Sequence, residues 1–141
     1  TARTINGVAF DGSANITIAT ADSTKLPLSG GVMTGAITSI RETRVAVASN
    51  SINLAAGNVF TKTISANVPL VVANIASSGT TNSFILELTN GGAYIVTWWS
   101  GVKWAGGIAP ILSVVGTDIL GFYSHDGGLS WHGIVVSKDS K

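Results

Sequence analysis

The chain has 141 residues, a formal net charge of +1 and 11 % charged residues, well below the roughly 25 % of an ordinary soluble domain. Its eight Lys and Arg are scattered with no basic stripe, which argues against a nucleic-acid partner; with no cysteine, disulfides and thiolate metal sites are excluded. No apolar run reaches the roughly 18 residues of a membrane-spanning helix.

Polarity comes from Thr, Ser, Asn and Gly, and glutamine is absent. Such a neutral, hydroxyl-rich surface suits an extracellular or particle-borne protein. The length fits one globular domain with an appendage. The chain opens at Thr1 rather than Met, as expected of a fragment of something longer.

Residues 1–40 are sparse in large apolar side chains. Asn6-Gly7 and Asp11-Gly12 are turn signals, because glycine takes positive φ freely. Val8-Ala9-Phe10 and Ile16-Thr17-Ile18 are short extended runs, and Pro27 and Gly30-Gly31 punctuate the remainder of the segment. No stretch here could close a core alone, so order must come from packing on something else, such as copies of itself.

Residues 41–141 differ. Short β-rich runs recur between Gly, Asn and Ser turns, and strands are predicted at 44–48, 58–64, 69–75, 83–89, 93–99, 111–115, 118–124 and 131–136. The clearest alternates: Phe84, Leu86 and Leu88 point one way, Ile85 and Glu87 the other. Tyr94, Val96 and Trp98 do the same against Ile95, Thr97 and Trp99. No 3.6-residue apolar stripe persists beyond two turns. Many short strands at this spacing indicate a sandwich or a barrel.

The phrases "ARTINGVAFDGSANITI" and "LPLSGGVMTGAI" closely resemble the short repeats that precede the distal tip of tailed-bacteriophage fibres. "ILELTNGGAYIVTWWSGVKWAGGIAP" and "DILGFYSHDGGLSWHG" are similar to the tip domains themselves. The resemblance implies a homotrimer whose chains intertwine in a shaft and whose tip meets the bacterial surface. The expected fold is therefore all-β: an extended shaft segment at 1–40 and an antiparallel β-sandwich tip at 41–141. Some fibre tips bind metal through a His-x-His motif. Here His125 and His132 are seven apart, so no such site carries over, and neither a metal nor another cofactor is expected.

"SHDGGLSW", residues 124–131, fits the Asp-box pattern Ser-x-Asp-x-Gly-x-x-Trp. Asp126 can accept turn amides, Gly128 can take positive φ, and Trp131 can fold beneath the hairpin after Ser124. In sialidases and related β-propellers this motif is structural, so it does not point to glycosidase activity.

Glycoside hydrolysis usually needs two carboxyl groups facing one bond. Of the seven acids, Asp11 and Asp22 lie in the expected shaft and Asp139 in the tail. Glu87 reads as a solvated outer-face residue, Asp118 as a turn residue, and Glu42 as a surface partner of Arg41 and Arg44. No Gly-x-Ser-x-Gly elbow, P-loop or His-Glu-x-x-His appears, so no enzyme is expected.

Strand alternation places Trp98 inward and Trp99 outward, with Trp104 closing the bottom of the sandwich near Gly106-Gly107. Exposed tryptophan marks an interface or a ligand site. The expected receptor contacts are Trp99, Tyr123, His125 and His132, near hairpin ends where a tip would face outward. The expected function is adhesion to a bacterial surface receptor, glycan or outer-membrane protein, by a virion component made in the host cytoplasm and joined to an upstream fibre shaft. The rival expectations are a purely structural trimerisation and capping module, and a glycan-cleaving enzyme.

Overall fold

The computed structural model describes Arg3–Ile5, Val8–Phe10, Ser39 and residues 41–141. The chain divides into two compact units, Thr1–Ile40 and Arg41–Lys141. In the first, β1 (Arg3–Ile5) pairs antiparallel with β2 (Val8–Phe10), Ile5 opposite Val8. Asn6 and Gly7, the turn signal read between these strands, lie outside the described residues. So do Asp11, Asp22, the run 16–18 and most of the expected shaft.

The second unit is built from β3 (Arg44–Ala46), β4 (Ser51–Asn53), β5 (Val59–Thr63), β6 (Val68–Pro69), β7 (Val71–Ala73), β8 (Asn82–Thr89), β9 (Val96–Thr97), β10 (Val102–Lys103), β11 (Thr117–Ser124) and β12 (Trp131–Ser140). Among the described residues there is no α-helix, and the protein is all-β. Six strands form one sheet in the order β10-β12-β11-β8-β5-β3, while β4 pairs with β7 and β6 with β9.

The expected uniformly antiparallel pairing is corrected. Only β8-β11 and β11-β12 are antiparallel in this unit; β3-β5, β5-β8, β10-β12, β4-β7 and β6-β9 are parallel. The chain leaves the six-stranded sheet between successive strands, to β4 after β3 and to β6 and β7 after β5. Each return therefore adds a strand running the same way, as a crossover connection requires.

The alternation of β8 sets the core. Leu86 lies between Phe60 on β5 and Leu120 on β11, in register across three strands, and all three are fully buried. Ile52, Val68 and Leu70, from the small sheets and their connection, join the same cluster. Burying each such side chain contributes roughly 1.5–3 kcal/mol. Phe84 stacks on Phe122 at 5.1 Å and meets Phe60 edge-on at 5.7 Å.

Several predicted strands change. The run 69–75 is interrupted at Leu70, and 93–99 shrinks to Val96–Thr97 because Gly91–Ala93 forms a 3-10 turn. Residues 111–115 form no strand, and Ile111, Val114 and Val115 stand exposed. Asp118 is not a turn residue: it lies inside β11, buried, where it accepts from Ser113 N (2.6 Å), Ser113 Oγ (2.7 Å) and Asp139 N (3.0 Å). Burial opposes its charge, but these bonds outweigh burial and hold its carboxyl below the usual range.

Candidate functional site

β11 and β12 converge on the turn 124–131. Ser124 is buried at the end of β11; its hydroxyl donates to Asp126 Oδ1 (2.9 Å) and accepts from Gly128 N (3.1 Å). Asp126 Oδ1 also accepts from Ser130 N at 2.9 Å. The Ser130 amide above all, with the Ser124 hydroxyl, lowers the Asp126 carboxyl to about 2. Gly128 has φ +85°, and a Cβ there would meet Ile75 Cδ1 at 2.8 Å. Trp131 lies fully buried, opening β12. Gly79 N donates to His125 O at 3.0 Å, tying the turn to the preceding loop.

The tryptophans do not divide as strand alternation implies. β9 ends at Thr97, so period-two geometry stops before Trp98 and Trp99. Both pack against the core, as does Trp104. Trp99 meets Phe122 at 4.8 Å, Trp131 at 5.8 Å and Phe84 at 5.9 Å, and its outward placement is corrected. Trp98 meets Trp104 at 5.2 Å. Trp104 covers Gly133, where a Cβ would come within 2.5 Å of the indole. The indole N–H groups of Trp99 and Trp131 are buried with no acceptor among the described residues.

Of the four expected contacts, Tyr123 and His132 come together. They are cross-strand partners on β11 and β12, and their rings stack at 4.7 Å, 14° from parallel. Phe122 points into the core, so Tyr123 projects from the opposite, outer face. His125 is exposed in the following turn. Trp99, packed on Phe122, belongs to the inner side. The four therefore do not form one surface.

Beside Tyr123 the outer face carries an open groove of about 390 Å³. Gly121 lies among its lining residues with Val59, Ile85, Ile134, Glu42 and Asn58. Asn58 Nδ2 reaches Glu42 Oε1 at 3.5 Å. The expected pairing of Glu42 with its neighbouring arginines is corrected at Arg44, whose Nε donates to Glu87 Oε2 at 2.6 Å. Glu87 thus sits on the outer face in an ion pair with Arg44. Sequence reasoning missed the groove. The available signal was Gly121 alone between Leu120 and Phe122, since glycine inside a strand often marks a close approach by another group.

A second apolar hollow of about 310 Å³ lies between Trp104, Ile108 and Pro110 and strand β12 at Gly133–Val135. Among the described residues, no group of three or more His, Asp and Glu side chains could hold a metal ion. No protein-family model matches the chain, and no curated protein or solved structure matches it significantly.

Proposed function

We propose that this chain is the distal tip of a tailed-phage or prophage tail fibre, a non-enzymatic adhesin that meets a bacterial surface receptor. Its sequence phrases support the fibre assignment. The observation that carries the adhesive role is the outer face of the six-stranded sheet. There Tyr123 stacks on His132 beside an open groove, and Ile134 and Val136 stand 52 % and 57 % exposed. Exposed aromatic and aliphatic side chains gathered on one rigid face are the ordinary mark of a binding surface. The tip would act as a homotrimer on the virion, its head a two-layer β-sandwich with the core cluster between the layers.

One observation favours the structural alternative. Ile108 and Ile111 are 78 % and 85 % exposed on the segment between β10 and β11, as expected of a surface that another copy covers. A capping module would bury them and leave recognition elsewhere. A glycan-cleaving reading has less support, because Glu42 is the single carboxylate among the residues lining the groove.

The test is binding of fluorescently labelled protein to a panel of bacterial strains, alongside its mass by light scattering. Saturable, strain-selective binding by a trimer supports the adhesin. A trimer that binds no strain supports the capping module, and a monomer contradicts both.

A further inference from the structure

We infer that the groove over Gly121 is a saccharide site, with Tyr123 as its aromatic wall and Glu42 and Asn58 as its polar end. This rests on the adhesin reading and names the chemical class that the surface would take. The chemistry of a sugar matches that of the groove. A pyranose ring has C–H faces that favour apolar and aromatic surfaces, and an equatorial edge of hydroxyls that each donate and accept.

The groove supplies both kinds of contact. Val59, Ile85 and Ile134 form the apolar part, and Gly121 leaves room between them by having no side chain. Tyr123 borders it with a ring already held in place by His132 at 4.7 Å, so little side-chain freedom is lost on binding. At the other chemical extreme, Glu42 offers carboxylate acceptors beside the Asn58 amide, which both donates and accepts. Adjacent hydroxyls of one sugar can bridge such a pair, donating to the carboxylate and exchanging bonds with the amide. The volume, about 390 Å³, is at the small end of the roughly 300–1,000 Å³ of ligand pockets. A carboxylate at the polar end favours a neutral sugar over an acidic one.

Gly121 makes the site testable without dismantling the sheet. A Cβ there would lie 3.4 Å from Val136 Cγ2 and 3.7 Å from Ile85 Cδ1, which is ordinary contact. Gly121→Ala therefore fits, and Gly121→Leu extends the same side chain into the groove. The experiment is saturation-transfer NMR on the full chain with the methyl glycosides of glucose, galactose and mannose, and with sialic acid as the anionic control.

Transfer to the ring protons of at least one neutral glycoside, weak or absent for sialic acid, is the expected result. It should disappear in Gly121→Leu and Tyr123→Ala and weaken about tenfold in affinity in Glu42→Gln. Gly121→Ala reports the trend if Gly121→Leu lowers the melting temperature. No transfer to any neutral glycoside, or transfer unchanged in Gly121→Leu, overturns the inference. A Gly121→Leu variant that loses its oligomeric mass also overturns it, and assigns the face to a second copy. Cell binding separates the two readings: binding without sugar transfer leaves the adhesin standing and removes the saccharide site. Sugar transfer without cell binding does the reverse.

Discussion

The indole of Trp99 lies 4.8 Å from the ring of Phe122, and through that contact the tryptophan belongs to the core rather than to the outer face of the sheet. Trp99 closes an aromatic group with Trp131, Phe84 and Trp98.

Trp99→Ala should therefore behave as a core truncation, losing about 3 kcal/mol in chemical denaturation. Trp99→Phe should lose less, because it keeps an aromatic ring while removing a buried N–H without an acceptor. If Trp99→Ala keeps wild-type stability but loses cell binding, the inward assignment is wrong.

The period-two pattern was legible where strands are long. Phe84, Leu86 and Leu88 alternate because β8 has eight residues and a sheet neighbour on each side. The pair Trp98-Trp99 was not legible, because nothing in the sequence says that β9 stops at Thr97. The same holds for Ser51–Asn53 and Val102–Lys103, too short to show a period. Residues 111–115 are apolar enough for a strand, yet pair with nothing in the sheets. The groove is assembled from the segments around Glu42, Asn58, Gly121 and Ile134, which only the topology brings together.

Asp126 should make the turn acid-sensitive. Its folded value of about 2 lies below its ordinary 3.8. It therefore contributes stability that is present above pH 3.8 and is lost as pH falls through about 2. Melting temperature measured from about pH 6 to about pH 2 should fall across this window in the wild type and fall less in Asp126→Asn. Parallel curves for the two proteins would show that Asp126 adds nothing pH-dependent.

Asp118 is the buried fastener between the segment before β11 and the bulged end of β12, where Asp139 has φ +48°. Asp118→Ala leaves three donors without their acceptor and should cost about 3 kcal/mol. Hydrogen exchange should quicken at the Ser113 and Asp139 amides before the rest of the sheet. Unchanged protection at both would contradict the clamp.

Two glycines on the same sheet should respond in opposite ways. Gly133 lies under Trp104, with the ring 2.5–2.8 Å from any added Cβ. Gly133→Ala should lower stability by about 1–3 kcal/mol as Trp104 is displaced. Gly121→Ala, with its nearest neighbour at 3.4 Å, should leave the melting temperature close to wild type. Indole fluorescence should shift in Gly133→Ala alone, and equal effects from both would contradict the packing described around Trp104.

Adhesion through the outer face at Tyr123, as proposed, predicts a difference between two proteins that differ at that residue alone. Binding of labelled wild type and Tyr123→Ala to bacterial cells would be measured with the mass of each protein determined in parallel. Tyr123 is 39 % exposed and contributes nothing to the core cluster, so its removal should leave fold and assembly intact. Saturable binding by the wild type, reduced at least about tenfold in a Tyr123→Ala protein of unchanged mass and melting temperature, is the predicted result. Equal binding by the two proteins, or none by either, would contradict it.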